Sequence, residues 1–116
     1  MTKIWHITKR QQWEQAKLAQ VYRSETLESE GFIHCSTPQQ VLKVANAFFC
    51  GQQGLVLLGI DSEKVQAEIL YEEVDGKEYF PHIYGALNTE AVIEVLDFEP
   101  GDNGQFELPK PLAEMT

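Results

Sequence analysis

The sequence predicts an α+β domain built on a mixed β-sheet core with two main helices. Three observations predict it. Strand-like segments outnumber helical ones, the two kinds do not alternate strictly, and a continuous apolar run of strand length, residues 55–61, sits mid-chain. A chain of 116 residues is one domain's worth, and at that size about two-thirds of the unfolded surface is buried on folding. The expectation is one domain over residues 1–116, with its core at about 3–100 and a polar C-terminal tail. Hydrophobic residues at 43% and charged residues at 23% are globular values that leave no case for disorder.

Residues 3–8 (KIWHIT) are β-branched and aromatic and read as the first strand. Thr8 and Gln11 stand at capping-box spacing, so a short helix follows, turns Trp13 and Ala16 inward and fades near Leu18. Residues 21–27 read as extended, with Glu28, Ser29, Glu30 and Gly31 turning the chain. Residues 31–36 (GFIHCS) are the second well-marked strand.

The strongest helix signal comes next. Thr37 can cap, Pro38 takes the favoured first position and Gln40 completes the box. Val41, Leu42, Val44, Ala45, Phe48 and Phe49 form an apolar stripe, and Gly51 can terminate it. Residues 55–61 (LVLLGID) should be a central strand buried on both faces, 62–65 a single turn, 67–74 a strand and Asp75-Gly76 a turn. Residues 79–86 (YFPHIYGA) are extended, but Pro81 lacks a ladder donor and suits an edge. Residues 91–98 make the last strand. Beyond Pro100-Gly101 the tail is expected to be polar and mobile, and Cys50, at the end of the stripe, to join the core.

The charge balance narrows the partners. Nine basic side chains stand against 18 acidic ones, a net charge of −9, whereas gripping phosphates needs a clustered basic excess. Nucleic acid is therefore not an expected partner. The N-terminus lacks the apolar core of a secretory signal, and the longest apolar run is far short of the ~20 residues that span a bilayer. Two cysteines, Cys35 and Cys50, make neither a disulfide framework nor a zinc ribbon. A cytoplasmic protein with no membrane partner is the expectation.

Strand periodicity shows which side chains can meet. Ile4, His6 and Thr8 share one face of the first strand. Phe32, His34 and Ser36 share a face of the second, with Cys35 behind, where His34 is badly placed to activate it. Phe80, His82 and Tyr84 share a face of the third. Each of the three histidines thus sits among small or aromatic neighbours, and together they can line one cleft. The plain alternative for each is an imidazole bonded to backbone. A second alternative is a zinc site of three imidazoles with an open fourth position. Ser36, before a helix start whose amides attract anions, and Arg23, with phosphate-compatible geometry, are further candidates. Glu72, Glu73 and Glu78 flank a turn without the spacing of a catalytic pair.

The segments IWHIT (4–8), EGFIHCSTPQQVLKVANAFF (30–49), LVLLGID (55–61) and FPHIYGAL (80–87) resemble a bacterial family known as domain of unknown function 952. The resemblance runs over roughly residues 3–100. That family is similar in fold to the ADP-ribosyltransferases, which implies a small-molecule nucleotide partner, NAD or a relative. On that resemblance His6, with Thr8 on its face, holds the ribose. Gly31, His34 and Ser36 match the second motif, His34 stacking on the base or nicotinamide and Ser36 bonding the ribose or amide. The helix near Pro38 attracts the diphosphate, Arg23 is a further phosphate contact, and His82 and Tyr84 close the cleft. The resemblance makes His6, His34 and His82 the catalytic candidates. One departure matters: the third motif of the ADP-ribosyltransferases supplies a glutamate, and here His82 or a neighbour stands in its place. That favours, as a rival, a binding module that keeps the fold without the chemistry.

Overall fold

The computed structural model describes residues 3–113. Strand β1 (Lys3–Lys9) pairs antiparallel with β4 (Leu55–Asp61), whose other edge pairs antiparallel with β8 (Val92–Phe98). The apolar run is thus the central strand, and all seven of its residues are buried. Its side chains alternate between two cores. Val56, Leu58 and Ile60 meet Ile4, Trp13 and Tyr22 on one face. Leu55 and Leu57 meet Trp5, Val41, Ala45 and Phe98 on the other. Gly59 lies opposite Trp5 in the register, and a Cβ there would stand 2.8 Å from the indole ring. Only glycine lets the indole lie across the strand.

Helix α1 (Arg10–Ala19) buries Trp13 and Ala16, as the pattern requires. Its expected cap does not form, because Thr8 turns its hydroxyl toward Gln12 instead. After β2 (Val21–Tyr22) the chain departs from expectation. Residues 25–30 form a helix, α2 (Glu25–Glu30), rather than an extended segment and turn. Ser24 Oγ accepts the Leu27 N–H at 3.2 Å, and Gly31 at φ +91° closes the other end. No residue of α2 is buried, so it carries no apolar stripe that a periodicity reading could detect.

The GFIHCS strand is shorter than expected: β3 is Ile33–His34 alone. Helix α3 (Val41–Phe48) begins after the box residues, not at Pro38. Gln40 Oε1 does accept the Thr37 N–H at 3.0 Å, but its Nε2 donates to the Tyr79 carbonyl at 2.9 Å. That tie to the second sheet leaves residues 38–40 as a turn. Val41 and Ala45 are buried, while Phe48 is 74% exposed and Cys50 exposed, against the expected core positions. Gly51, at φ +80°, is left-handed as expected.

The second sheet has the order β3, β6 (Glu78–Tyr84), β5 (Glu68–Val74), all antiparallel. Asp75 and Gly76, both at positive φ, make the β5–β6 turn. Pro81 therefore lies in the central strand, not at an edge. It is tolerated because β3 pairs only Ile83 and His82, while the Pro81 carbonyl accepts the Cys35 N–H at 3.0 Å. A short ribbon of β2 with β7 (Leu87–Asn88) completes the pairing. The C-terminal segment is docked rather than a polar tail. Phe106 is buried and stacks on Phe98 at 4.6 Å, its N–H bonds Asn46 Oδ1 at 2.7 Å, and Leu112 in α4 (Lys110–Ala113) is fully buried. Among the described residues no helix is long and apolar enough to cross a membrane.

Candidate functional site

The two sheets meet and then part, and the cleft opens where they part. Trp5 and Ser36 exchange backbone hydrogen bonds at 2.8 and 2.7 Å, joining β1 to the strand segment that follows β3. In an antiparallel ladder the next bonded pair would be Ile7 with His34. The strands have separated there, and the His34 carbonyl is held by His6 Nδ1 at 2.5 Å instead. The imidazole of His6 works as a wedge between the diverging strands. Beyond it lies a cleft of about 660 Å³ lined by His6, His34 and His82, and also by Thr8 and Ser36. That volume falls within the roughly 300–1,000 Å³ of small-molecule sites.

The three imidazoles differ in environment. His6 is buried, and burial pushes it down from its ordinary 6.5 to about 4. A carbonyl only accepts, so Nδ1 carries the proton and, with the ring neutral, Nε2 is a bare acceptor. The Tyr22 hydroxyl lies 2.8 Å from that nitrogen and 2.9 Å from Thr8 Oγ1, which is itself 2.9 Å from Gln12 Oε1. Tyr22 thus has one proton for two acceptors. Burial raises its phenol to about 12, so that proton stays on the phenol.

His34 is half exposed, with Nε2 3.3 Å from Glu30 Oε1. It faces His82 directly in the β3–β6 register, the rings meeting edge to face at 5.2 Å. His82 is buried beneath Phe32, whose ring stacks on it at 4.2 Å. Its Nδ1 lies 2.8 Å from Glu72 Oε1, the same oxygen that the Tyr84 hydroxyl bonds. Those two hydrogen bonds, Tyr84 first, hold the Glu72 carboxyl below its ordinary range, and in return push Tyr84 up. His82 Nε2 is buried and has no hydrogen-bond partner among the described residues.

The structure therefore brings His6, His34, His82, Thr8 and Ser36 to one cleft. It does not bring Arg23, which is exposed, since Tyr22 and Ser24 on either side turn inward in its place. Gly31 acts as the left-handed end of α2 and does not line the cleft, and Tyr84 reaches the site through Glu72 and the Phe32 ring. The start of α3 does not line the cleft either. The helix contributes its later residues Val44 and Phe48, so an anion held by its first amides is not part of this site. Cys35 also borders the cleft but is buried, its thiol pushed up by burial. His6 engages both ring nitrogens, and among the described residues no three His, Cys, Asp or Glu side chains are placed to hold a metal ion. Sequence reasoning missed Tyr22, Gln12 and Glu72. For Glu72 a signal existed: it faces Phe80 in the hairpin register, which sets it diagonally from His82.

Fold and cleft together define a small α+β protein with a histidine-lined site between two antiparallel sheets. Residues 7–95 match the family described as protein of unknown function, DUF952, and the chain belongs to that family. The crystal structure of protein CC0527 from Caulobacter crescentus is 32% identical, covers 97% of this chain and 99% of that chain, and has a TM-score of 0.88. A double mutant of CC0527 gives the same values. Its solution NMR structure, also 32% identical, covers 98% and 99% with a TM-score of 0.84. No curated protein matches the chain.

Proposed function

We propose that the cleft binds the nicotinamide-ribose end of NAD, or a related nucleotide, on an ADP-ribosyltransferase-like scaffold. The observation that carries this reading is the convergence of three imidazoles, from β1, β3 and β6, on one cleft of ligand size. Imidazole edges and hydroxyls suit ribose hydroxyls and a carboxamide, and the half-exposed His34 offers a face for a planar ring. Charge supports the same orientation. Glu30 stands beside His34 and Glu25 also lines the cleft, which favours a cationic pyridinium ring there. Lys9, about 10 Å along β1 from His6, lines the other end beside Leu55 and suits a phosphate.

The test is thermal unfolding of the full chain with NAD, nicotinamide mononucleotide or ADP-ribose, using His34→Ala as control. A ligand at a hundred times its dissociation constant stabilises by about 2.7 kcal/mol, which raises the melting temperature by several degrees in a domain of this size. No shift with any of the three removes the reading. Release of free nicotinamide, followed by chromatography, separates an enzyme from the rival binding module. That rival draws its support from the absence of a carboxylate bonded directly at the third-motif position, where His82 stands.

A further inference from the structure

We infer that Glu72 and His82 form a proton-accepting pair, in which Glu72 fixes the His82 ring so that a bare Nε2 receives a hydroxyl or amide proton of the bound ligand. The inference rests on the nucleotide reading for the identity of that ligand, but not for the chemistry of the pair.

The geometry leads there in steps. Glu72 is held ionised by its two hydrogen bonds and can only accept, so His82 Nδ1, at 2.8 Å, must carry the ring proton. In the neutral ring, Nε2 is then the lone-pair nitrogen. His82 lines the cleft and Glu72 does not, and Nε2 stands on the ring edge away from the Nδ1 that meets Glu72. Phe32, stacked at 4.2 Å, holds the ring plane. The ring is nine-tenths buried, and its Nε2 is unpartnered among the described residues. A buried acceptor without a donor is costly, and a ligand that donates there recovers that cost.

The pair also supplies what the third motif lacks. Glu72 holds the imidazole in one tautomer and orientation and stabilises the imidazolium that forms, as a carboxylate does when it positions a histidine base. For a hydroxyl acceptor attacking the ribose anomeric carbon, a new C–O bond forms while the C–N bond to nicotinamide breaks. The bonding electron pair stays on the nicotinamide nitrogen, which leaves neutral, and the acceptor's proton passes to His82 Nε2. The resulting imidazolium is paired with Glu72. In this scheme Glu72 is a positioning residue, since it acts through His82.

Long-range ¹H–¹⁵N NMR of the full chain tests the pair without any ligand. At neutral pH His82 should show a protonated Nδ1 and a bare Nε2. Glu72→Gln should mix the two tautomers, Glu72→Asp should largely restore the single one, and Tyr84→Phe should leave it in place. NAD added to the wild-type chain should shift the Nε2 resonance. Glu72→Gln should weaken NAD binding about tenfold, the loss of one charge-assisted contact. An Nε2–H tautomer in the wild type, or a tautomer that Glu72→Gln leaves unchanged, overturns the pair whatever NAD does. The expected tautomer without NAD binding overturns the nucleotide reading and supports the pair.

Discussion

Acid should weaken this fold through His6 before it reaches the carboxylates. The folded ring is pushed down to about 4 by burial, against 6.5 when free. The unfolded chain therefore takes up the proton first. His6's contribution is fully present above pH 6.5, falls as the pH drops toward 4, and is gone below that, where both states are protonated. The full loss is about 3 kcal/mol, and about 2 kcal/mol of it falls between pH 7 and pH 5. Glu72, also held low, adds its loss only below its ordinary 4.5, outside that window. Urea unfolding at pH 7, 6 and 5 measures the slope, and a His6→Gln chain provides the comparison. The wild type should lose about 2 kcal/mol more than the variant across the window. Parallel pH slopes, or an NMR titration placing His6 near 6.5, would refute the burial argument.

Three further outcomes follow from packing. Gly59→Ala drives a methyl to 2.8 Å from the Trp5 ring and should destabilise by about 1–3 kcal/mol, read as a lower urea midpoint; an unchanged midpoint would mean the indole moves freely. Phe106→Ala should cost about 3–5 kcal/mol, because the ring is buried against Phe98, and a loss under 1 kcal/mol would show the C-terminal segment to be undocked. In a thiol titration with an aromatic disulfide reagent, exposed Cys50 should react at once and buried Cys35 only on unfolding. Two fast thiols would contradict the placement of Cys35.

Much of the scaffold was legible in local pattern. The apolar run LVLLGID has the length and composition of a strand covered on both faces, and β4 is that strand. Trp13 and Ala16, three apart, could only share a helix face. Other elements failed for identifiable reasons. Helix α2 is held by Ser24 and Gly31 and turns a single apolar residue, the partly buried Leu27, to the core, so hydrophobic periodicity had no stripe to register. Phe48 looked like core because it fits the stripe, yet α3 buries only its first turns, and the ring is left at the cleft. Phe106 and Leu112 stand in a polar stretch whose burial depends on Phe98, Asn46 and Val41, residues remote in sequence.

The site divides along the same line. Period-two alternation by itself put His6 with Thr8, His34 with Ser36, and Cys35 behind them, because neighbouring strand residues must point to opposite faces. Which imidazole would be wedged neutral between strands, which would be half exposed, and which would be set against a carboxylate depended on where β1 leaves the Trp5–Ser36 bridge and how the β5–β6 hairpin brings Glu72 beside His82. Composition and spacing assign a histidine to a strand face. Its protonation and its free nitrogen come from burial and from partners that only the folded chain brings within hydrogen-bond reach.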